Sequence, residues 1–79
     1  MNQEAVVNAV VTEIRKIREE KGFSQRFLAE RTGLSQAGIA HMELGDTTPT
    51  LLFLLTVADA LEVELHGIVG EILRGEAEG

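Results

Sequence analysis

Cysteine is absent from this 79-residue sequence. That excludes disulfide staples and thiolate metal sites, and it suits a reducing cytosol. Proline occurs once, and the only aromatics are Phe23, Phe27 and Phe53. No long alternation of Val, Thr and Tyr is present, so helices are the first expectation. The longest apolar stretches fall far short of the ~20 residues a membrane span needs. No basic segment precedes an apolar run at the N-terminus, so no secretion signal is read and a cytoplasmic protein is expected. Positive charge is also scarce, with seven Lys and Arg against thirteen Asp and Glu, a net charge of −6. That argues against a generic nucleic-acid binder.

The distribution of charge softens this objection. Residues 13–31 carry six basic and four acidic groups, whereas residues 32–79 carry one basic group, Arg74, against eight acidic ones. Any phosphate contact must therefore come mainly from the first half. Apolar residues make up 44% of the chain, enough for folding. The length allows one domain, 1–79, with a marginal core that a second subunit would help to bury.

The pattern predicts an all-α fold of five helices. The first starts after the N-cap Asn2 and runs to Lys21, with Val7, Val10, Ile14 and Ile17 at helical spacing. Gly22 stops it. Ser24 caps a second helix, Gln25 to Thr32, and Gly33 breaks it. Ser35 caps a third, Gln36 to about Leu44, closed by Gly45. Asp46-Thr47-Thr48-Pro49 reads as a turn. Thr50 caps a fourth helix, Leu51 to Leu61. After a break at Glu62-Val63-Glu64, a fifth covers about Leu65 to Arg74. Residues 75–79 read as a frayed tail.

The second and third helices carry the main signal. Two short capped helices are joined by a glycine corner, with small Ala29 where they cross and Leu34 and Ile39 as anchors. A helix-turn-helix needs these residue types at these places. The sequence Arg18-Glu19-Glu20-Lys21-Gly22-Phe23-Ser24-Gln25 belongs to a wider pattern. It continues with Leu28-Ala29-Glu30, Gly33-Leu34-Ser35, Ile39, Glu43, Gly45, Pro49 and Ala58-Asp59-Ala60-Leu61. As a set these resemble the five-helix domain of Cro/repressor-type regulators, the lambda-repressor-like or xenobiotic-response-element family. The resemblance covers about residues 14–68, with helical extensions at both ends. In size the chain is similar to the controller proteins of restriction–modification systems.

The resemblance implies a DNA-binding transcriptional regulator acting as a homodimer on double-stranded DNA. It also implies that Arg18 and Glu43 pair across the first and third helices. Gln25, with Arg26 beside it, stands where free backbone N–H groups and the helix dipole favour a phosphate contact. Ser35, Gln36, Ala37, Ala40 and His41 form the outward face of the third helix, whose N-terminus would enter the major groove. Gln36 can bond adenine N6 and N7, and Ala37 can pack on a thymine methyl. Ser35, Thr47 and Thr48 can donate to phosphate. Gly38 is open between close approach to the DNA backbone and simple tolerance. The family pattern is broken at one place: the third helix has no Lys or Arg, and Asp46 follows where relatives carry basic residues.

Leu52, Phe53 and Leu55, with Leu65 and Val69 of the fifth helix, are the expected dimer interface. No enzyme is expected, since there is no thiol nucleophile, no Ser–His–carboxylate spacing and no phosphate-binding glycine loop. No cofactor or metal is expected either, because His41 and His66 are remote and unsupported by acidic ligands. The alternative is a protein-interaction module of the same fold, such as the antitoxin partner of a toxin. The acidic C-terminal half motivates it.

Overall fold

The computed structural model describes residues 2–78, with side-chain surroundings described through residue 75. Five α-helices follow one another: α1 (Gln3–Glu20), α2 (Gln25–Thr32), α3 (Gln36–Leu44), α4 (Leu51–Ala60) and α5 (Leu65–Glu78). The described residues contain no strand.

Side-chain caps set the starts of four helices. Asn2 Oδ1 accepts from the Ala5 N–H at 2.8 Å, Ser24 Oγ from Phe27 at 2.9 Å, Ser35 Oγ from Gly38 at 2.9 Å and Thr50 Oγ1 from Phe53 at 3.1 Å. Each satisfies a donor that the helix itself leaves free. Gly33 and Gly45 close α2 and α3 at φ +77° and +79°, where a side chain would be strained. The turn after α4 does the same with Glu62, at φ +60°.

The core is one cluster drawn from all five helices. Ile14, Leu28, Ile39, Met42, Val57 and Leu61 are its most completely buried large side chains. Burial of a side chain of this kind contributes about 1.5–3 kcal/mol, which offsets the ordering of a short chain. α1 packs on α5 and α3, while α2 packs on α3 and α4. Ala29 is buried between its neighbours, as the helix crossing requires.

At two places the structure differs from the reading of the sequence. α5 continues through Gly75 to Glu78, where the sequence suggested a frayed tail. No proline interrupts it, and the roughly 1 kcal/mol cost of one helical glycine is offset by flanking helix formers. Gly79 lies outside the described residues. Leu65, expected in the dimer interface, is 8% exposed within the single chain and belongs to its core. Smaller shifts occur at α1 and α4, which end one residue early with Lys21 and Leu61 as C-caps.

Candidate nucleic-acid interface

Four residues from three helices fix the position of α3. Arg18 of α1 donates from Nε and Nη2 to the two carboxylate oxygens of Glu43 on α3, at 2.7 and 2.9 Å. Its Nη1 donates to the Phe23 carbonyl at 2.6 Å. Gln25, the first residue of α2, donates from Nε2 to the same Glu43 carboxylate at 2.9 Å. Arg15 stands 3.9 Å from it. The Glu43 side chain is 1% exposed, so this is a buried, bidentate and fully hydrogen-bonded ion pair. Among the described residues no buried side-chain nitrogen or oxygen lacks a partner.

Burial pushes the Glu43 carboxyl up, but the hydrogen bonds from Arg18 and Gln25 and the charges of Arg18 and Arg15 outweigh it. The group lies below the usual carboxylate range. The bond to Glu43 likewise raises the Arg18 guanidinium against an opposing effect of burial. Both partners remain ionised near neutral pH, and the network locks α1, α2 and α3 at one mutual angle.

On this support Ser35, Gln36 and Ala37 are exposed at the N-terminus of α3, and Ala40 is half-buried beside them. Arg26 is exposed but its Nε donates to Glu30 at 3.2 Å. Thr47 is exposed in the turn that follows α3. His41 is also exposed, yet its Nδ1 lies 3.0 Å from both carboxylate oxygens of Asp46. The left-handed turn at Gly45 folds Asp46 back onto the preceding helical turn. That reversal is the one sequence signal that could have revealed the contact. Gln25 is half-buried, with one amide hydrogen committed to Glu43 and the other free.

The structure accounts for Gly38. A Cβ there would lie 2.9 Å from Ser35 Oγ, the cap of the same helix, and 3.6 Å from the Phe53 ring. Glycine lets the N-cap and the α4 aromatic close on α3 together. Phe53, expected at a dimer interface, is half-buried against the core instead. Leu52 and Leu55 stand out at 74% and 46% exposure, joined by Leu51 at 66%. Val69 is half-buried.

Among the described residues no group of three His, Asp or Glu side chains could hold a metal ion. No helix there is long and apolar enough to cross a membrane.

The helix-turn-helix family model matches residues 14–68, the stretch that contains the Arg18–Glu43 pair and both helices of the motif. The HTH-type transcriptional regulator SinR of Bacillus subtilis (strain 168) is 33% identical over 67 residues, covering 84% of this chain and 60% of SinR. The immunity repressor protein of Bacillus phage phi105 is 40% identical over 58 residues, or 73% of this chain and 40% of that protein. The HTH-type transcriptional regulator SutR of Escherichia coli (strain K12) is 35% identical over 52 residues, 66% of this chain and 29% of SutR. The chain thus spans 60% or less of the length of these relatives. Motif, fold and family match agree, and the chain belongs to the Cro/repressor-type, lambda-repressor-like helix-turn-helix family.

Proposed function

We propose that this chain is a sequence-specific DNA-binding transcriptional regulator that binds a two-fold-symmetric operator as a homodimer. The observation that carries this reading is the capped, exposed N-terminus of α3, held rigidly by the Arg18–Glu43–Gln25 network. Gln36 offers a bidentate donor–acceptor pair matched to an adenine edge, and Ala37 a methyl group matched to thymine. Gln25 spends one amide hydrogen on Glu43, and the other can reach a phosphate beside the free N–H groups of α2. Ser35 and Thr47 add hydroxyl donors. The names of the relatives, two transcriptional regulators and an immunity repressor, support the same assignment.

The dimer reading rests on Leu51, Leu52 and Leu55, which leave an apolar stripe in water on α4. Such a stripe signals a contact surface. A two-fold partner there would set two α3 helices on successive major grooves, about 34 Å apart.

The test is binding of the purified protein to the DNA upstream of its own gene, followed by anisotropy, for the parent and Gln36→Ala on specific and scrambled duplexes. Loss of affinity confined to the specific duplex supports base reading. Equal loss on both removes Gln36 from that role. A second reading, a protein-interaction module such as an antitoxin, is favoured by the ion pairing of the exposed arginines, which leaves little free positive charge for DNA. Absence of any DNA preference in the same titration selects it.

A further inference from the structure

A groove runs between α1 and the start of α5, away from the α2–α3 face, enclosing about 520 Å³. Val63, Ile68 and Ile72 supply apolar walls, while Glu13 of α1, Glu64 just before α5 and Glu71 of α5 supply carboxylates. An adjoining cavity of about 310 Å³ shares Val63 and Glu64 and adds Asp59 and Glu62. Among the described residues, cationic or imidazole nitrogens approach three of these five carboxylates within 4.0 Å. Arg74 lies 2.7 Å from Glu71, His66 3.4 Å from Glu64 and Arg31 3.5 Å from Glu62. The edge therefore carries surplus negative charge around an apolar interior.

Gly67 forms part of the groove wall. Its φ is not in the left-handed region, and a Cβ there would meet only Glu64 Cβ, at an ordinary 3.8 Å. The fold has no steric need for glycine at this helical position, where it costs about 1 kcal/mol relative to alanine. It leaves this part of the groove wall without a side chain.

We propose that the α1–α5 groove docks an amphipathic basic helix of a partner protein. Apolar side chains of the guest would enter between Val63, Ile68 and Ile72, and its Lys or Arg residues would meet the carboxylate edge. This is helix-in-groove recognition with charge complementarity selecting the guest. The same edge repels DNA phosphate, so the surface is separate from the proposed DNA-reading face and does not depend on that function. The adjoining cavity reaches Leu55 of α4, whereas Leu51 and Leu52 line neither space. On α5, Gly67 and Glu71 lie along one flank by their four-residue spacing, and Val69 and Leu73 lie along the other.

The test uses the full chain and a labelled 18-residue Leu/Lys amphipathic peptide as probe, without DNA. Controls are a Leu/Glu peptide of the same pattern and a Leu/Lys peptide of scrambled order. Anisotropy measures affinity, and amide chemical-shift mapping locates the contact. The expected result is preference for the patterned basic probe, with shifts centred on Glu13, Val63, Gly67 and Glu71. The charge variant Glu13→Gln/Glu71→Gln is expected to bind at least fivefold more weakly. Gly67→Leu, which fills the groove while improving helix propensity, is expected to do the same with an undiminished melting temperature. Unchanged affinity in both variants overturns the proposal. So does equal binding of the Leu/Glu or scrambled peptide, or shifts centred on Leu51 and Leu52.

Discussion

At the scale of single residues, Glu43 is the position on which most depends. Three helices converge on one carboxylate, and removing Arg18 strips Glu43 of both bonds of its bidentate pair, leaving Gln25 and the more distant Arg15 as its partners. Arg18→Ala is expected to cost about 3–5 kcal/mol, a large share of the stability of so small a domain. Circular-dichroism melting checks it, and a loss under about 1 kcal/mol would contradict the buried-pair account. Acid should act through the same group. The folded Glu43 carboxyl titrates below its unfolded value, so its contribution is fully present above the ordinary carboxylate pKa. It is lost as pH falls through the lower, folded pKa. The melting-temperature gap between the parent and Glu43→Gln is therefore expected to be widest near neutrality and to narrow in acid. A gap independent of pH would show that ionisation of Glu43 does not matter to the fold. For recognition, Gln36→Ala is expected to cost roughly 1–3 kcal/mol per contact on the specific duplex only. Gln25→Ala acts in two ways, since it removes a phosphate donor and a bond to Glu43. It is expected to weaken binding equally on both duplexes and also to lower the melting temperature slightly.

At the scale of elements, the turns are more revealing than the helices. Glu62 occupies a left-handed conformation at the end of α4, the place that Gly33 and Gly45 fill after α2 and α3. Its exposed contact with Arg31, at 3.5 Å, offsets little of that strain. Glu62→Gly is expected to stabilise the protein by up to about 1 kcal/mol, because glycine adopts this conformation freely. Chemical denaturation measures it, and a clear loss of stability would mean that the Arg31 contact outweighs the strain. α4 shows the opposite economy: Leu54, Val57 and Ala58 face inward while Leu51, Leu52 and Leu55 are left in water. Leu52→Glu/Leu55→Glu is accordingly expected to leave α4 folded and to abolish self-association. Sedimentation of the parent as an 8.6 kDa species alone at micromolar concentration would remove the dimer.

At the scale of the whole molecule, the balance of charge constrains how DNA can be held. All five arginines have a carboxylate within 4.0 Å. Lys16 and Lys21 are the cations outside such pairs among the described residues. Each neutralised phosphate contributes about −0.9 to the slope of log K against log salt. A dimer with two such lysines per protomer is expected to give a slope shallower than roughly −4, with affinity carried by helix N-termini and direct base contacts. A salt titration on the specific duplex checks it. A slope near −10 would mean that the arginines leave their carboxylates to meet DNA.

Much of this was legible locally. The four caps at Asn2, Ser24, Ser35 and Thr50 and the glycine stops at Gly33 and Gly45 are short-range chemistry, settled within three or four residues of chain. The apolar spacing of Val10, Ile14, Ile39 and Met42 marked the inward faces for the same reason. The motif also named Arg18 and Glu43 as partners. What required the tertiary structure was everything that depends on which helix lies beside which. Leu65 and Leu52 are identical in chemistry, yet one is buried in the core and the other is 74% exposed. The bond from Gln25 to Glu43 joins residues eighteen positions apart, and no periodicity encodes it. The sequence leaves Gly38 open between close approach to the DNA backbone and simple tolerance, and the nearness of Ser35 Oγ and the Phe53 ring appears only in the folded chain. The α1–α5 groove joins Glu13 to residues 63–72, which only the packing of α1 on α5 brings together. Local pattern determines where helices begin, end and hide their apolar faces. Packing alone decides which outward side chains remain free to bind.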